Sequence, residues 1–380
     1  MTNQFFSNRT NLIFLHKLIK AFADSLIKIF LPLIILKNSG NFMFVIIYLN
    51  SYYLLCGVLN VVLKKFLQKY GIIAIILHTI PIVALQFMLN VTFSWWWCLI
   101  LAVFASLAQV LYSVPINLLF ALSDKNVDVA KFQIAANIGK LVFTLLSGYV
   151  LGSNYKNSLL LLAIIGSVLY ILSAVPILYG YRLLKDAYVE ASKESQTHKL
   201  GDYKVFNLFH IFFGIFQSIL DVVIPLYLYV NNLTFETVAI IVALIEGLKM
   251  LANILAKNLV KNGHSKASVI ISIICFFVGS IVILIVKIPV VLYICSSLIA
   301  ISFPLLFVPM FGIYCKRLNL DNYLLDGMVY RDFFILGFKS FMVAPYAIFP
   351  SFITLFSIGL VSGAGILITA VKLLPDSTEN

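Results

Sequence analysis

Long hydrophobic runs, separated by short polar segments, follow one another along almost the whole chain. A helix needs about 20 predominantly apolar residues to cross a bilayer. Twelve runs reach that length: 12–36, 42–64, 71–91, 94–122, 129–152, 158–181, 205–230, 236–256, 266–287, 289–314, 325–347 and 349–372. The pattern predicts an all-α integral membrane protein with twelve transmembrane helices. The longest polar stretch, 182–204, lies between the sixth and the seventh helix.

The composition supports a membrane protein and sets its orientation. Of the 380 residues, 62% are hydrophobic and 11% are charged, whereas soluble domains are about half apolar and a quarter charged. If both termini are cytoplasmic, 18 lysines and arginines, Arg331 among them, fall in inside segments and three in outside loops. This asymmetry follows the positive-inside rule. It also explains most of the net charge of +12 without a nucleic-acid partner.

The two halves of the chain repeat each other. ADSLIKIFLPLIILKNSG aligns with FQSILDVVIPLYLYVNNL at an offset of 193, which pairs Pro32 with Pro225. KKFLQKYG (64–71) aligns with AKNLVKNG (256–263) at an offset of 192. Internal repeats of this kind build transporters around a central site. We therefore predict two six-helix bundles related by a pseudo-two-fold axis, with these bounds: 1–181 for the N-terminal bundle, 182–204 for a cytoplasmic linker and 205–380 for the C-terminal bundle.

With twelve spans in two repeated halves, the chain resembles the major facilitator superfamily over essentially its whole length. The segment between helices 2 and 3, GVLNVVLKKFLQKYG, resembles the gating loop of that family, because Gly57, Lys69 and Gly71 match its pattern. Gln68 stands where the family has an aspartate. Helix 5 also lacks the Gly-Pro pair of proton-driven drug exporters. The resemblance implies transport by alternating access, with helices 1 and 7 lining a central cavity.

Charged side chains within the predicted helices point to that cavity, because a charge in lipid costs several kcal/mol. Helix 1 carries Lys17, Lys20, Asp24 and Lys28 on one face, at about 100° per residue. By the offset of 193, Lys28 corresponds to Asp221. An alternative is that Asp24 and Lys28, four residues apart, form a structural ion pair.

The other polar positions in the helices complete the set of candidate site residues. The candidates for substrate binding are Lys28, Gln109, Asn137, Lys140, Gln217, Lys249 and Lys339. The candidates for proton coupling are Asp24, Asp221 and Glu246. For the uncharged members, hydrogen bonding between neighbouring helices is the alternative role.

Lysines outnumber acids within the predicted helices, which favours a small polar or anionic organic solute. We therefore predict a secondary active transporter that is coupled to protons. It would act as a monomer in the lipid bilayer of the plasma membrane, with both termini in the cytoplasm. Two alternatives are a proton-coupled multidrug exporter and a flippase for an anionic or glycosylated lipid.

No catalytic, cofactor or metal site is predicted. The five cysteines are scattered through apolar runs without CxxC spacing, and the chain has no P-loop and no GxSxG motif. Asp321, Asp326 and Asp332 are the only acidic cluster that would suggest a membrane-embedded enzyme. Their spacings do not place them on one helical face. We therefore expect a transporter rather than an enzyme or a non-transporting sensor.

Overall fold

The computed structural model describes residues 8–89, 94–121, 126–153, 157–192, 200–231, 233–286, 289–321 and 323–374, and every regular element in them is helical. The first half contains α1 (Arg9–Ile27), α2 (Leu31–Ser39), α3 (Phe42–Val62), α4 (Lys64–Leu77), α5 (Thr79–Met88), α6 (Trp95–Ala121), α7 (Asn126–Gly152) and α8 (Ser158–Tyr179). The helix α9 (Tyr181–Ala191) lies within the predicted linker. The second half contains α10 (Lys204–Ser218), α11 (Ile224–Val230), α12 (Phe235–Lys261), α13 (Ser265–Ile285), α14 (Pro289–Leu320), α15 (Leu324–Val343), α16 (Pro345–Ile348) and α17 (Phe352–Leu373).

Nine helices in the described residues are long and apolar enough to cross a membrane, or ten if the bent pair α4 and α5 is one span. This criterion does not reach the predicted count of twelve. The two predicted spans that it leaves out are 12–36 and 325–347, which correspond to α1 with α2 and to α15 with α16. Both α1 and α15 carry several charged residues. A helix of that kind is stable in a membrane only where its charges face protein or water.

The first and the seventh predicted spans are broken at equivalent positions of the repeat. The first span breaks at 28–30, between α1 and α2. The seventh span contains a π-helical turn, Ile219–Val223, between α10 and α11. Pro32 and Pro225 lie in the first turn of the following helices. Because proline has no N–H, the carbonyl four residues earlier loses its helical partner, and helix breaks of this kind mark binding sites in transporters.

The helices of the two halves pack in the same pattern. Helix α1 packs against α7 and α8, as α10 packs against α15 and α17. Helix α3 packs against α6, as α12 packs against α14. The halves meet along two helix pairs, α7 with α12 and α3 with α15. The packing therefore follows the internal repeat of the sequence and leaves the cavity between the halves.

Glycines allow close approach at both of these contacts between the halves. A Cβ added to Gly148 on α7 would lie 2.0 Å from the Cβ of Ala239 on α12. A Cβ added to Gly57 on α3 would lie 3.1 Å from the Cα of Gly337 on α15. Small residues at such contacts let helix backbones approach each other closely in membranes. The positions of these glycines thus help to set the distance between the halves.

The segment 57–71 is not the loop that the sequence analysis predicted. It is helical except at Leu63, with a kink at Tyr70. Gly71 packs against the ring of Tyr188 on α9, whose hydroxyl donates a hydrogen bond to the carbonyl of Leu67 (2.8 Å). Lys69 is exposed and its Nζ lies 5.0 Å from the ring centroid of Tyr70. The prediction of a loop was wrong because polar residues such as lysine and glutamine also form good helices.

Candidate functional site

A cavity of about 410 Å³ lies between the halves and is lined by helices of both. All ten candidates for substrate binding and proton coupling line it: Asp24, Lys28, Gln109, Asn137, Lys140, Gln217, Asp221, Glu246, Lys249 and Lys339. The predicted gating residues Gly57, Lys69 and Gly71 are not among the lining residues. The polar positions within the predicted helices therefore lie in the cavity wall, and the roles of the individual residues remain predictions.

In the first half, Asp24 pairs with Lys20 instead of Lys28. The Nζ atom of Lys20 lies 2.6 Å from Oδ2 of Asp24. The hydroxyl of Tyr170 on α8 donates to Oδ1 of the same carboxylate (2.5 Å). The Lys20 ammonium also lies 4.2 Å from the ring centroid of Tyr112, within range of a cation–π contact. Both oxygens of Asp24 are thus engaged, and the alternative of an Asp24–Lys28 ion pair was wrong.

Lys28 lies at the break of the first span and has a neutral partner. Its Nζ atom donates to Oε1 of Gln109 on α6 (3.0 Å). Within the part of the chain that the structure describes, Lys28 forms no ion pair with a carboxylate. The side chain is half-buried in the cavity wall. Its ammonium group therefore faces the cavity with no carboxylate at ion-pair distance, and the charge of Asp24 acts on it only from further away.

In the second half, α15 contributes to two of the ion pairs that line the cavity. Lys339 on α15 donates to Oδ2 of Asp221 in the π-helical turn (3.1 Å). The Lys339 side chain is 5% exposed and that of Asp221 is 38% exposed. Arg331 pairs with the neighbouring carboxylate of Asp332 (2.7 Å), and both are buried. Arg331 was wrongly counted among the inside segments, because the apolar run that begins at 325 places it more than one helical turn into the span.

A polar network joins the two halves across the cavity. Glu246 on α12 pairs with Lys249 (2.8 Å) and lies 3.9 Å from the Nζ atom of Lys140 on α7. With its side-chain amide oriented to satisfy its hydrogen bonds, Asn137 on α7 donates to Oε2 of Glu246 (3.1 Å). The amide oxygen of Asn137 then accepts from Asn253 (3.1 Å). Movement of α7 relative to α12 would therefore rearrange the partners of Glu246.

The sequence analysis missed the aromatic residues of the cavity. Tyrosines line the first half and phenylalanines the second: Tyr48, Tyr52, Tyr53, Tyr112 and Tyr170, and Phe213, Phe303 and Phe307. The chain contains 32 phenylalanines and 19 tyrosines. Residues that occur so often along the chain carry no signal of their own, and only the tertiary structure shows which of them face the cavity.

The cavity combines mostly paired charges with a volume suited to a small molecule. Its lining includes the cations Lys20, Lys28, Lys140, Lys249, Arg331 and Lys339 and the carboxylates Asp24, Asp221, Glu246 and Asp332. Ligand pockets usually measure about 300–1,000 Å³. In the described residues, no group of three or more histidines, cysteines or acids could hold a metal ion. The lining therefore offers hydrogen bonds and charge to an organic solute.

A family model places this architecture among known proteins. The model of the Major Facilitator Superfamily matches residues 13–323. The chain belongs to this superfamily. Membership confirms the predicted resemblance, the multi-pass membrane fold and a place in a family of transporters. No curated protein matches the chain in sequence.

Solved structures of the superfamily share the fold over nearly the whole chain. A bacterial homologue of the iron transporter ferroportin in an outward-facing state matches with a TM-score of 0.67 and 13% identity, covering 96% of this chain and 98% of that chain. The transporter FucP in the outward conformation matches with a TM-score of 0.64 and 14% identity, covering 97% and 99%. The human organic anion transporter MFSD10 matches with a TM-score of 0.64 and 11% identity, covering 96% and 98%. At such identities the likeness shows the fold alone.

Proposed function

We propose that this chain is a secondary active transporter of a small organic anion, driven by protons and working by alternating access. The observation that carries the proposal is the charge pairing in the cavity. Its four carboxylates pair with Lys20, Lys140, Lys249, Arg331 and Lys339. Among the described cations that line the cavity, Lys28 is the one outside these pairs.

An anion would give the Lys28 ammonium a negatively charged partner in addition to the neutral Gln109. In a wall of low dielectric, an uncompensated ammonium attracts negative charge more strongly than it does in water. A lipophilic cation in the same cavity would be repelled by it, which argues against the multidrug exporter. MFSD10, which shares the fold, is an organic anion transporter, and a peptide transporter of the same fold was crystallised with sulfate. These neighbours support the proposal only as examples of anions handled by this architecture.

Contacts between the halves beyond the cavity support alternating access. Lys64 on α4 and Asp326 on α15 form an ion pair (2.5 Å) at the end of the bundle that we assign to the cytoplasm. At the opposite end, the ring of Phe42 lies 4.3 Å from that of Tyr346 and 6.2 Å from that of Phe352, centroid to centroid. Opening the cavity to one side would break one set of contacts and leave the other. We propose that the protein lies in the plasma membrane with both termini in the cytoplasm.

The charge balance of the cavity suggests how protons could be coupled to the anion. A solute anion held at Lys28 adds a negative charge to the cavity that also holds the Asp221 carboxylate. A second negative charge nearby disfavours the ionised form of a carboxylate and so favours its protonation. Asp221 is well placed to take up this proton, because more than a third of its side chain is open to the cavity. Asp24 and Glu246 are the other candidates for the proton.

The test compares ligand-induced stabilisation of three purified proteins. Wild type, Lys28→Gln and the control Lys372→Gln, an exposed lysine on α17, are melted with benzoate, succinate, benzyltrimethylammonium or an anionic phospholipid. A ligand that binds the folded state raises the melting temperature. We expect an anion to stabilise wild type and the control but not Lys28→Gln. Stabilisation by the cation would favour the multidrug exporter, and stabilisation by an anionic phospholipid alone would favour the flippase. Uptake of the stabilising anion into proteoliposomes separates a transporter from a sensor.

A further inference from the structure

Three phenylalanine rings form a continuous surface on the second-half side of the cavity. Phe213 comes from α10, and Phe303 and Phe307 come from α14. The Phe303 and Phe307 rings are nearly parallel, at 8°, with centroids 5.5 Å apart. The Phe213 ring lies 5.5 Å from Phe303 and 6.0 Å from Phe307. All three line the cavity, and we call them the aromatic wall.

A cation and an amide of the first half also line the cavity. Lys28 and Gln109 belong to the first half and face the same cavity as the aromatic wall. The volume of that cavity, about 410 Å³, is in the usual range for small-molecule pockets. The two sides therefore set two requirements for one molecule, a negative group at Lys28 and an apolar body at the aromatic wall.

The aromatic wall already carries a cation that belongs to the protein. The guanidinium carbon of Arg331 lies 5.9 Å from the ring centroid of Phe307 and 4.9 Å from that of Phe311. A ligand cation placed against Phe307 would be close to this positive charge. A ligand ring would instead gain offset or edge-to-face contacts with the wall.

We infer that the solute is an aromatic anion, with its acidic group at Lys28 and its ring against Phe213, Phe303 and Phe307. This inference rests on the proposed function and names the class of the transported anion. Contacts between aromatic rings add binding energy beyond the burial of area. The cavity should therefore bind an aromatic anion about three- to tenfold more tightly than a saturated anion of the same size and charge.

The experiment measures the binding of matched ligand pairs to the full-length protein in detergent. The pairs are benzoate with cyclohexanecarboxylate and benzenesulfonate with cyclohexanesulfonate, so that only the ring changes within a pair. The variants are Phe307→Leu and Phe303→Leu, so that one remains should the other fail to fold. The control is Phe341→Leu, which changes a side chain on α15 that is 59% exposed and lies outside the cavity lining.

We expect the aromatic member of each pair to bind more tightly to wild type and to Phe341→Leu. The preference should disappear in Phe307→Leu, while the saturated anion keeps its affinity. Equal affinities within each pair in wild type would overturn the inference and leave the anion proposal intact. An aromatic preference that survives both cavity variants would also overturn it. Binding of benzyltrimethylammonium in place of the anions, or no binding of any anion, would overturn the proposed function as well.

Discussion

Lys28 and Asp221 occupy the same position in the two halves of the repeat, and their charges are opposite. Each lies at the break of its span and four residues before a proline, Pro32 in one case and Pro225 in the other. Lys28 bonds to the neutral Gln109, whereas Asp221 pairs with Lys339. The two halves therefore share a backbone feature that brings a side chain to the cavity, and they differ in the charge that it presents.

The first prediction concerns the two prolines. Replacing Pro32 or Pro225 by alanine restores an N–H that can bond to the carbonyl of residue 28 or 221 and lets the helix run through the break. We expect Pro32→Ala and Pro225→Ala to lower the melting-temperature shift caused by benzoate. The melting temperature without ligand should stay unchanged or rise. Pro115→Ala, inside α6, is the control that should leave the shift as in wild type.

A full benzoate shift in both Pro32→Ala and Pro225→Ala would contradict this role for the breaks. A fall in the melting temperature without ligand would point instead to a structural role for the prolines. Circular dichroism of each variant checks that the helical content is maintained.

The second prediction concerns the ion pair between Asp221 and Lys339. Asp221→Asn would leave the Lys339 ammonium, 5% exposed, without its carboxylate. Removing one partner of a buried ion pair typically lowers the free energy of unfolding by about 3–5 kcal/mol. We expect Asp221→Asn to lower it by an amount near the lower end of that range. The double variant Asp221→Asn/Lys339→Met removes both charges and should recover most of it. If the loss in the double variant equals the sum of the losses in Asp221→Asn and Lys339→Met, the two side chains are not coupled.

The location of the cavity could be predicted from the sequence for a physical reason. A charge inside an apolar run has few places to lie in a membrane protein, so Asp24, Glu246 and Lys339 identified helix sides that face protein or water. The resemblance to the superfamily then implied that this interior is a central cavity. The repeat pairs Pro32 with Pro225, but the breaks before these prolines were not predicted from the sequence.

The choice of partners within the cavity could not be predicted. Lys20 and Lys28 are each four residues from Asp24, so helical spacing allows either pair. The structure contains the pair of Lys20 with Asp24. In that arrangement, Tyr170 on α8 donates a hydrogen bond to Asp24, and Lys28 donates one to Gln109 on α6. The aromatic wall could not be predicted for a related reason. Nothing in the sequence distinguishes its three phenylalanines from the others in the chain.

The third prediction concerns the contact between the halves formed by Lys64 and Asp326. The two residues lie outside the cavity lining and come from different halves. Reversing one charge, as in Lys64→Glu, would place two carboxylates against each other. We expect this variant to slow benzenesulfonate uptake into proteoliposomes with little change in binding affinity. The double variant Lys64→Glu/Asp326→Lys should restore part of the rate. A loss of affinity as large as the loss of rate would show that the contact acts on the cavity itself.

The fourth prediction concerns the proton. Among the carboxylates of the cavity, the side chain of Asp221 is the most exposed, at 38% against 18% for Asp24 and 5% for Glu246. It is therefore the one that a proton reaches most easily from the cavity. We expect wild type to accumulate benzenesulfonate in proteoliposomes when the pH is lower outside and the membrane potential is clamped. Benzenesulfonate stays ionised at these pH values, so it cannot cross the bilayer as a neutral acid.

Asp221→Asn should lose this accumulation but still exchange benzenesulfonate across the membrane without a gradient, because exchange needs no net movement of protons. The exchange assay also shows that the variant is folded and binds the anion. Accumulation equal to that of wild type would assign the proton to Asp24 or Glu246, whose Asp24→Asn and Glu246→Gln variants are then tested in the same way. If wild type itself ignores the pH gradient, the negative charge that the anion brings to the cavity is not balanced by a proton.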